Sequence, residues 1–298
     1  MSIFFSFAEY SHIGKCLCDL PGLRPGRFSL LRHRNQEWHV DIQSTVQGEH
    51  CIVLGGIAPP DARMISLLLL AHTLRKEGAA RVTALLPYLA YAREDKVKPG
   101  ESLATAWVGA LLRAAAVDEV WAVDVHSKHD PELFPLPLKS ISPAALFGDC
   151  LKKSELTEAS FVAPDEGAVA RCEAVSAAAG KGSQEIVYFQ KQRTASGITL
   201  GERFGRVQRR AIVVDDVLDT GETLVSACRG LVSAGVEELY ICVTHGLFTG
   251  ERWRELWPLP LKRIFCTDTV PSCASLEDPR ITALPVGPLL RAHLASIL

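Results

Sequence analysis

The chain has little of what several protein classes require. Its nine cysteines, at 16, 18, 51, 150, 172, 228, 242, 266 and 273, include no Cys-x-x-Cys pair and no flanking His at zinc spacing, which excludes a finger-type zinc site. An odd number also fits poorly with a closed disulfide framework. Cys51, Cys242 and Cys266 stand inside apolar runs, where a free thiol behaves as a small hydrophobe. This usage predicts a reducing, cytoplasmic setting. No continuous apolar stretch reaches the ~18 residues of a membrane span, and the opening MSIFFSFAEYSHIGK lacks the basic start and long apolar core of a signal peptide. The 32 Lys and Arg are scattered among 34 Asp and Glu, for a formal net charge of −2, which argues against nucleic acid or a membrane surface as partner. GxxxxGK[ST] is absent, setting aside a P-loop kinase.

What is present is a long alternation. At 298 residues with 48% apolar content, the chain can fill two cores. Short β-branched runs alternate with helical patterns almost throughout, the signature of parallel βαβ units and so of a doubly wound α/β protein. Strands are expected at His39–Gln43, Cys51–Leu54, Arg81–Pro87 and Glu119–Val125, with helices near Asp61–Glu77 and Ser102–Ala116. In the second half strands are expected at Ser160–Ala163, Glu185–Phe189, Arg210–Asp215, Glu238–Thr244 and Lys262–Thr267, with helices near Gly167–Ala179 and Thr223–Ala234. The stretch His129–Pro143 holds Pro131, Pro135 and Pro137 without helical periodicity and places the boundary between domains 1–143 and 144–298. The tail Gly287–Leu298 reads as a last amphipathic helix able to return to the first half.

The strongest chemical signal runs from Ala211 to Leu224 (AIVVDDVLDTGETL): an apolar strand, two carboxylates at its end, then a small polar turn opening a helix. Asp215 and Asp216 suit vicinal hydroxyls. Asp219, Thr220, Gly221, Glu222 and Thr223 present backbone N–H groups at a helix N-terminus, where a phosphate is favoured. A turn and N-cap alone would also use Asp and Thr, but paired Asp before DTG-x-T after four apolar residues points to a ribose-phosphate cradle.

These fourteen residues resemble the pyrophosphate-sugar site of the phosphoribosyltransferase superfamily, and further segments resemble its synthetase branch, the ribose-phosphate pyrophosphokinases. Leu86-Pro-Tyr-Leu-Ala-Tyr-Ala-Arg-Glu-Asp95 is similar to Pro-Tyr-x-x-Tyr-Ala-Arg-Gln-Asp, and Lys98-Pro-Gly-Glu-Ser-Leu103 to the K-x-G-E-P-I stretch of archaeal members. Val123-Asp-Val-His126 resembles D-[LI]-H; Ala163-Pro-Asp-Glu-Gly167 with Arg171 resembles S-P-D-x-G with its downstream Arg. Lys191-Gln-Arg193 resembles the mobile-loop K-x-R, and Val286-Gly-Pro-Leu-Leu290 a bacterial C-terminal signature. Their order matches the family.

The resemblance implies two phosphoribosyltransferase-like domains with mainly parallel sheets, and Mg²⁺-dependent transfer of pyrophosphate from ATP to C1 of ribose 5-phosphate. It assigns ATP to Arg93, Glu94 and the Asn35-Gln36-Glu37 loop, Mg²⁺ to His126 and Asp165, and catalysis to Lys191 and Arg193. Those two cations follow an expected strand, in a Ser/Thr/Gly-rich stretch suited to a lid. The loop Arg32–Glu37 occupies the place of R-F-S-D-G-E, which reaches a neighbouring subunit's adenine and so implies at least a dimer; only Arg32 and Glu37 are retained.

One departure creates a conflict. Glu222 replaces a Gly of DTGGT, and a carboxylate ~5 Å from a bound phosphate charge would cost roughly 3 kcal/mol at an effective dielectric near 20. Its side chain is therefore expected to face outward. Two other readings stand beside the synthetase: a phosphoribosyltransferase with another acceptor, and a catalytically silent paralogue that regulates a synthetase. The two-domain length and the retained Lys191, Arg193 and His126 oppose the first; the retained lid cations and ribose aspartates oppose the second.

Overall fold

The computed structural model describes residues 1–126, 133–182, 185–194, 197–271 and 277–298, with backbone only for 191–194 and 197–202. The chain forms two compact units, Met1–Ile141 with Gly287–Leu298, and Ser142–Val286.

The first unit contains β1 (Ser2–Ser6), α1 (Ser11–Leu17), β2 (Leu23–Pro25), β3 (Phe28–Arg32), β4 (Trp38–Ile42), β5 (His50–Leu54), α2 (Ala62–Lys76), β6 (Arg81–Leu86), α3 (Ala104–Ala114), β7 (Glu119–Val123) and β8 (Leu138–Ile141). Its main sheet has the order β2-β1-β5-β6-β7-β8, with every pair parallel. Parallel strands are covered on both faces, which is why β5 and β6 read as unbroken apolar runs: Cys51–Leu54 and Val82–Leu86 are buried throughout. Helix α2 turns Met64, Leu67, Leu70, Ala71 and Leu74 inward, the i, i+3, i+4 spacing of a face packed on a sheet. Strand β1 was not among the expected strands, yet β2 and β5 flank it.

The second unit contains α4 (Ala144–Lys153), β9 (Ser160–Ala163), a short 3-10 turn (Glu166–Ala168), α5 (Val169–Ala178), β10 (Val187–Thr194), β11 (Gly197–Phe204), β12 (Arg210–Leu218), α6 (Glu222–Ser233), β13 (Glu238–Gly246), a second 3-10 helix (Arg252–Leu256), β14 (Leu261–Thr267) and β15 (Ile281–Leu284). The sheet order is β11-β10-β9-β12-β13-β14-β15, and only the β10–β11 pair is antiparallel. Phe161, Ile212 and Val213 lie fully buried at its centre; burial of each such side chain contributes about 1.5–3 kcal/mol. A final helix, α7 (Gly287–Ala295), packs on α1 of the first unit. Arg291 there donates to the Cys16 carbonyl at 2.8 Å and pairs with Asp19.

The expectation of an α/β fold with mainly parallel sheets is borne out. Cys51, Cys242 and Cys266 are buried and reduced, and burial pushes the Cys51 thiol up to about 12, as befits an inert core group. Part of the proline-rich stretch, 129–132, lies outside the described residues.

Candidate functional site

In the second unit the cradle is built on the central strand. Ala211 to Val214 are wholly buried, and the next two positions place Asp215, half-buried, and Asp216, 4% exposed, toward the C-terminal end of β12, where open α/β sheets meet ligands. The Asp216 N–H donates to Asp215 Oδ1 at 3.0 Å. Arg171, from α5, brings Nη1 to 3.9 Å from Asp216 Oδ1. Burial, together with the adjacent Asp216 carboxylate, holds the Asp215 carboxyl well above the usual carboxylate range, and Arg171 opposes them in part. A ligand hydroxyl that donates to this pair would relieve an electrostatic burden already in the fold.

Strand β12 then runs into the turn. Gly221 has a left-handed φ of +87°, and a Cβ there would stand 2.6 Å from Trp253 Cα and 3.2 Å from its backbone N. Only glycine satisfies both the dihedral and the space. Its carbonyl accepts the Val225 N–H at 2.8 Å, and α6 opens at Glu222 with its first N–H groups lacking intrahelical partners. Thr220 is exposed, and Asp219, Glu222 and Thr223 are half-buried. The Glu222 carboxylate is partly exposed and paired: its Oε1 lies 2.9 Å from Arg252 Nη1. Asp219 accepts the Thr249 hydroxyl.

Thr249, Arg252 and Trp253 carried no signal in the sequence, because they reach the turn through the fold. Parallel pairing sets Leu218 against Gly246, and the Leu247 and Phe248 N–H groups both donate to the Leu218 carbonyl, at 2.8 and 3.0 Å. The chain is thereby led past the cradle. Asp165 stands beyond β9 and caps the short 3-10 turn, its Oδ1 accepting the Gly167 N–H at 2.9 Å. It also raises the Asp215 pKa, so the two carboxylates share one electrostatic environment.

Lys191 and Arg193 differ from expectation in local structure. Rather than following the strand, they lie within β10, paired with Leu200 and Ile198 of β11. An antiparallel partner extended the strand past Phe189, and no local pattern announced that partner. Their side chains lie outside the described residues.

In the first unit, Asn35, Gln36 and Glu37 form the exposed tip of the β3–β4 hairpin. The Asn35 Oδ1 accepts the Glu37 N–H at 3.2 Å, and Gln36 takes a left-handed φ of +72°. Arg32 donates to Gln36 Oε1 at 3.1 Å while its guanidinium stacks 4.3 Å from the Trp38 ring centroid. Arg93 and Glu94 lie in the loop after β6, both exposed, and Glu94 accepts the Ser102 hydroxyl. His126 was expected to end its strand. Instead β7 stops at Val123, Asp124 turns the chain with a φ of +45°, and His126 follows, half-buried.

The sequence-predicted residues thus divide between the units, with Asp165, Lys191, Arg193 and Asp215–Thr223 in the second and Asn35–Glu37, Arg93, Glu94 and His126 in the first. Among the described residues no three His, Cys, Asp or Glu side chains form a metal cluster, and no helix is long and apolar enough to cross a membrane.

Comparison with known proteins covers both units. Residues 2–116 match the N-terminal domain of ribose phosphate pyrophosphokinase, and residues 180–295 match the phosphoribosyl synthetase-associated domain. The ribose-phosphate pyrophosphokinase of Campylobacter jejuni is 30% identical over 262 residues, covering 87% of this chain and 83% of that one. Its namesake from Gloeobacter violaceus is 29% identical over 289 residues, covering 96% and 87%. The crystal structure of phosphoribosylpyrophosphate synthetase from Mycobacterium smegmatis superposes with a TM-score of 0.86 at 22% identity, covering 100% of this chain and 99% of that one. That likeness shows a shared fold.

Proposed function

The chain belongs to the ribose-phosphate pyrophosphokinase family of transferases, and from that premise we propose that it transfers pyrophosphate from ATP to C1 of ribose 5-phosphate. The C1 oxygen bonds to the β-phosphorus, the bond from that phosphorus to the α–β bridging oxygen breaks, and AMP leaves with that oxygen's electron pair. The C1 hydroxyl proton passes to solvent. The products are 5-phosphoribosyl 1-pyrophosphate and AMP.

The observation that carries this reading is the cradle from Asp215 to Thr223. Paired carboxylates lie toward the C-terminal end of the central strand, and burial with the adjacent Asp216 carboxylate disfavours Asp215 as an anion. The Gly221 turn then aims α6 N–H groups at one locus. A sugar phosphate presents vicinal hydroxyls and a dianion in that order. In the proposed roles, Arg93, Glu94 and the hairpin tip Asn35–Glu37 orient the nucleotide. Lys191 and Arg193 stabilise charge on the transferring group, commonly a large contribution to catalysis.

Magnesium fits the donor set present. The ion holds several waters and substrate phosphates and takes only one or two protein carboxylates, and Asp165, half-buried beyond β9, offers one. By ligand hardness Asp165 is the proposed magnesium ligand of the second unit, and His126 is a proposed contact for metal–nucleotide on the first. When bound, the ion neutralises triphosphate charge. A hairpin that serves a neighbouring subunit's nucleotide makes the working form at least a dimer.

The test is a product assay with ATP, Mg²⁺ and ribose 5-phosphate that resolves AMP from ADP. AMP is the expected nucleotide. ADP would refute pyrophosphoryl transfer, and no turnover with any purine nucleotide would favour the silent paralogue.

A further inference from the structure

The cradle carries an acidic side chain where its ligand is most negative. Glu222 is the first residue of α6, and the positive end of that helix is what favours a phosphate there. Two anions near one helix terminus compete.

The fold supplies an answer from thirty positions further on: Arg252 brings its Nη1 to 2.9 Å from Glu222 Oε1. Several contacts hold the segment carrying Arg252 against the turn. The neighbouring Trp253 packs its backbone on Gly221 so closely that a Cβ at 221 would meet it at 2.6 Å. The Trp253 indole N–H donates to the Gly250 carbonyl at 3.1 Å, and the Thr249 hydroxyl donates to Asp219. Arg229 of α6 pairs with Glu255 at 2.8 Å. The Glu222 and Arg252 side chains are themselves 42% and 47% exposed, and a pair this open adds little to stability. Its placement at the phosphate turn calls for another account.

We propose that Arg252 is a positioning residue for the sugar-phosphate site: it holds the Glu222 carboxylate in an ion pair and cancels its charge, so that the turn accepts a phosphate monoester despite its acidic residue. The inference rests on the ribose 5-phosphate reading of the cradle. It gives the pair a direction of action. Loss of Arg252 leaves an uncompensated carboxylate beside the phosphate, whereas loss of Glu222 leaves an uncompensated cation.

Steady-state kinetics with varied ribose 5-phosphate at saturating Mg-ATP test this on the full chain, using wild type, Arg252→Gln, Arg252→Lys, Glu222→Gln and the Arg252→Gln/Glu222→Gln double variant. Arg252→Gln is expected to raise KM for ribose 5-phosphate about fivefold, with kcat within about twofold. Arg252→Lys retains most of the affinity, Glu222→Gln lowers KM about twofold, and the double variant returns close to wild type. The Arg252→Gln deficit shrinks at about 0.5 M salt, because the effect is electrostatic and exposed. Melting temperatures of all variants should match wild type, which separates these shifts from unfolding. An unchanged KM in Arg252→Gln overturns the inference. So does a deficit that persists in the double variant, since Arg252 would then touch the phosphate itself. If wild type does not turn over ribose 5-phosphate, the functional reading falls and this inference with it; turnover with a flat set of variants removes this inference alone.

Discussion

Gly221→Ala is the sharpest perturbation available, because its cost can be worked from the coordinates. At φ +87° an L-residue sits in the left-handed region, at a cost of about 1–2 kcal/mol. The added Cβ then meets Trp253 Cα at 2.6 Å. The obstacle is backbone, so no rotamer change relieves it, and forced overpacking costs about 1–3 kcal/mol. The sum is about 2–5 kcal/mol, or a fall of roughly 4–20 °C in the melting of a unit the size of Ser142–Val286. Gly235, just past the other end of α6, provides the control: its φ is +92° but nothing lies within 4 Å of an added Cβ. Gly235→Ala therefore carries only the conformational cost, roughly 2–8 °C. The excess loss in Gly221→Ala isolates the clash. Because the clash moves either the phosphate turn or Trp253, KM for ribose 5-phosphate should rise in Gly221→Ala and stay put in Gly235→Ala. Differential scanning calorimetry with initial-rate kinetics reads both. A Gly221→Ala protein as stable as Gly235→Ala, with wild-type KM, would refute the packing argument.

The raised Asp215 pKa has a sign that can be checked. A carboxyl raised in the fold contributes stability that is present below its ordinary value and lost as pH rises through its folded value. Without ligand, Asp215→Asn should gain on wild type in melting temperature from about pH 4 upward, while binding ribose 5-phosphate more weakly by about 1.5–3 kcal/mol in calorimetric titrations. Parallel melting curves across that range would contradict the assigned shift. Lys191→Ala or Arg193→Ala should lower kcat by about two to four orders of magnitude with ribose 5-phosphate affinity nearly intact; a Lys191→Ala enzyme keeping more than about a tenth of wild-type kcat would remove the catalytic assignment.

The physical range of each signal decided how much was legible in the sequence. The centre of the second sheet could be read because parallel strands buried on both faces show as contiguous apolar runs: Ser160–Ala163 was expected and found with those bounds. The helices after them announced themselves by period. Strand β1 was missed because Ser2 and Ser6 bracket only three apolar residues, Ile3, Phe4 and Phe5, and its place between β2 and β5 depends on pairing that no local pattern encodes. Strand β10 outran its expected end for the same reason, its extension being specified by β11 across the hairpin. His126 stands beyond β7 because Asp124 adopts a left-handed turn that a run ending in Val-Asp-Val-His does not reveal.

The cradle divides along the same line. Everything it needs in one contiguous stretch was visible: the strand, the paired aspartates, the glycine at the turn and the helix start. Even the anomaly was visible, since Coulomb's law alone shows a glutamate at 222 opposing a phosphate. Its resolution was not. Nothing in the spacing of Arg252 marks it as the partner, and the contact exists only because Leu218 lies beside Gly246 and the chain then turns back over Gly221. A charge conflict inside a motif can thus be detected from sequence, whereas the group that settles it, thirty residues away, is found only once the sheet has set its register. For this family fold, such departures from the motif mark where a long-range partner is to be sought, and Glu222 led to one that a survey of the motif's own residues would have passed over.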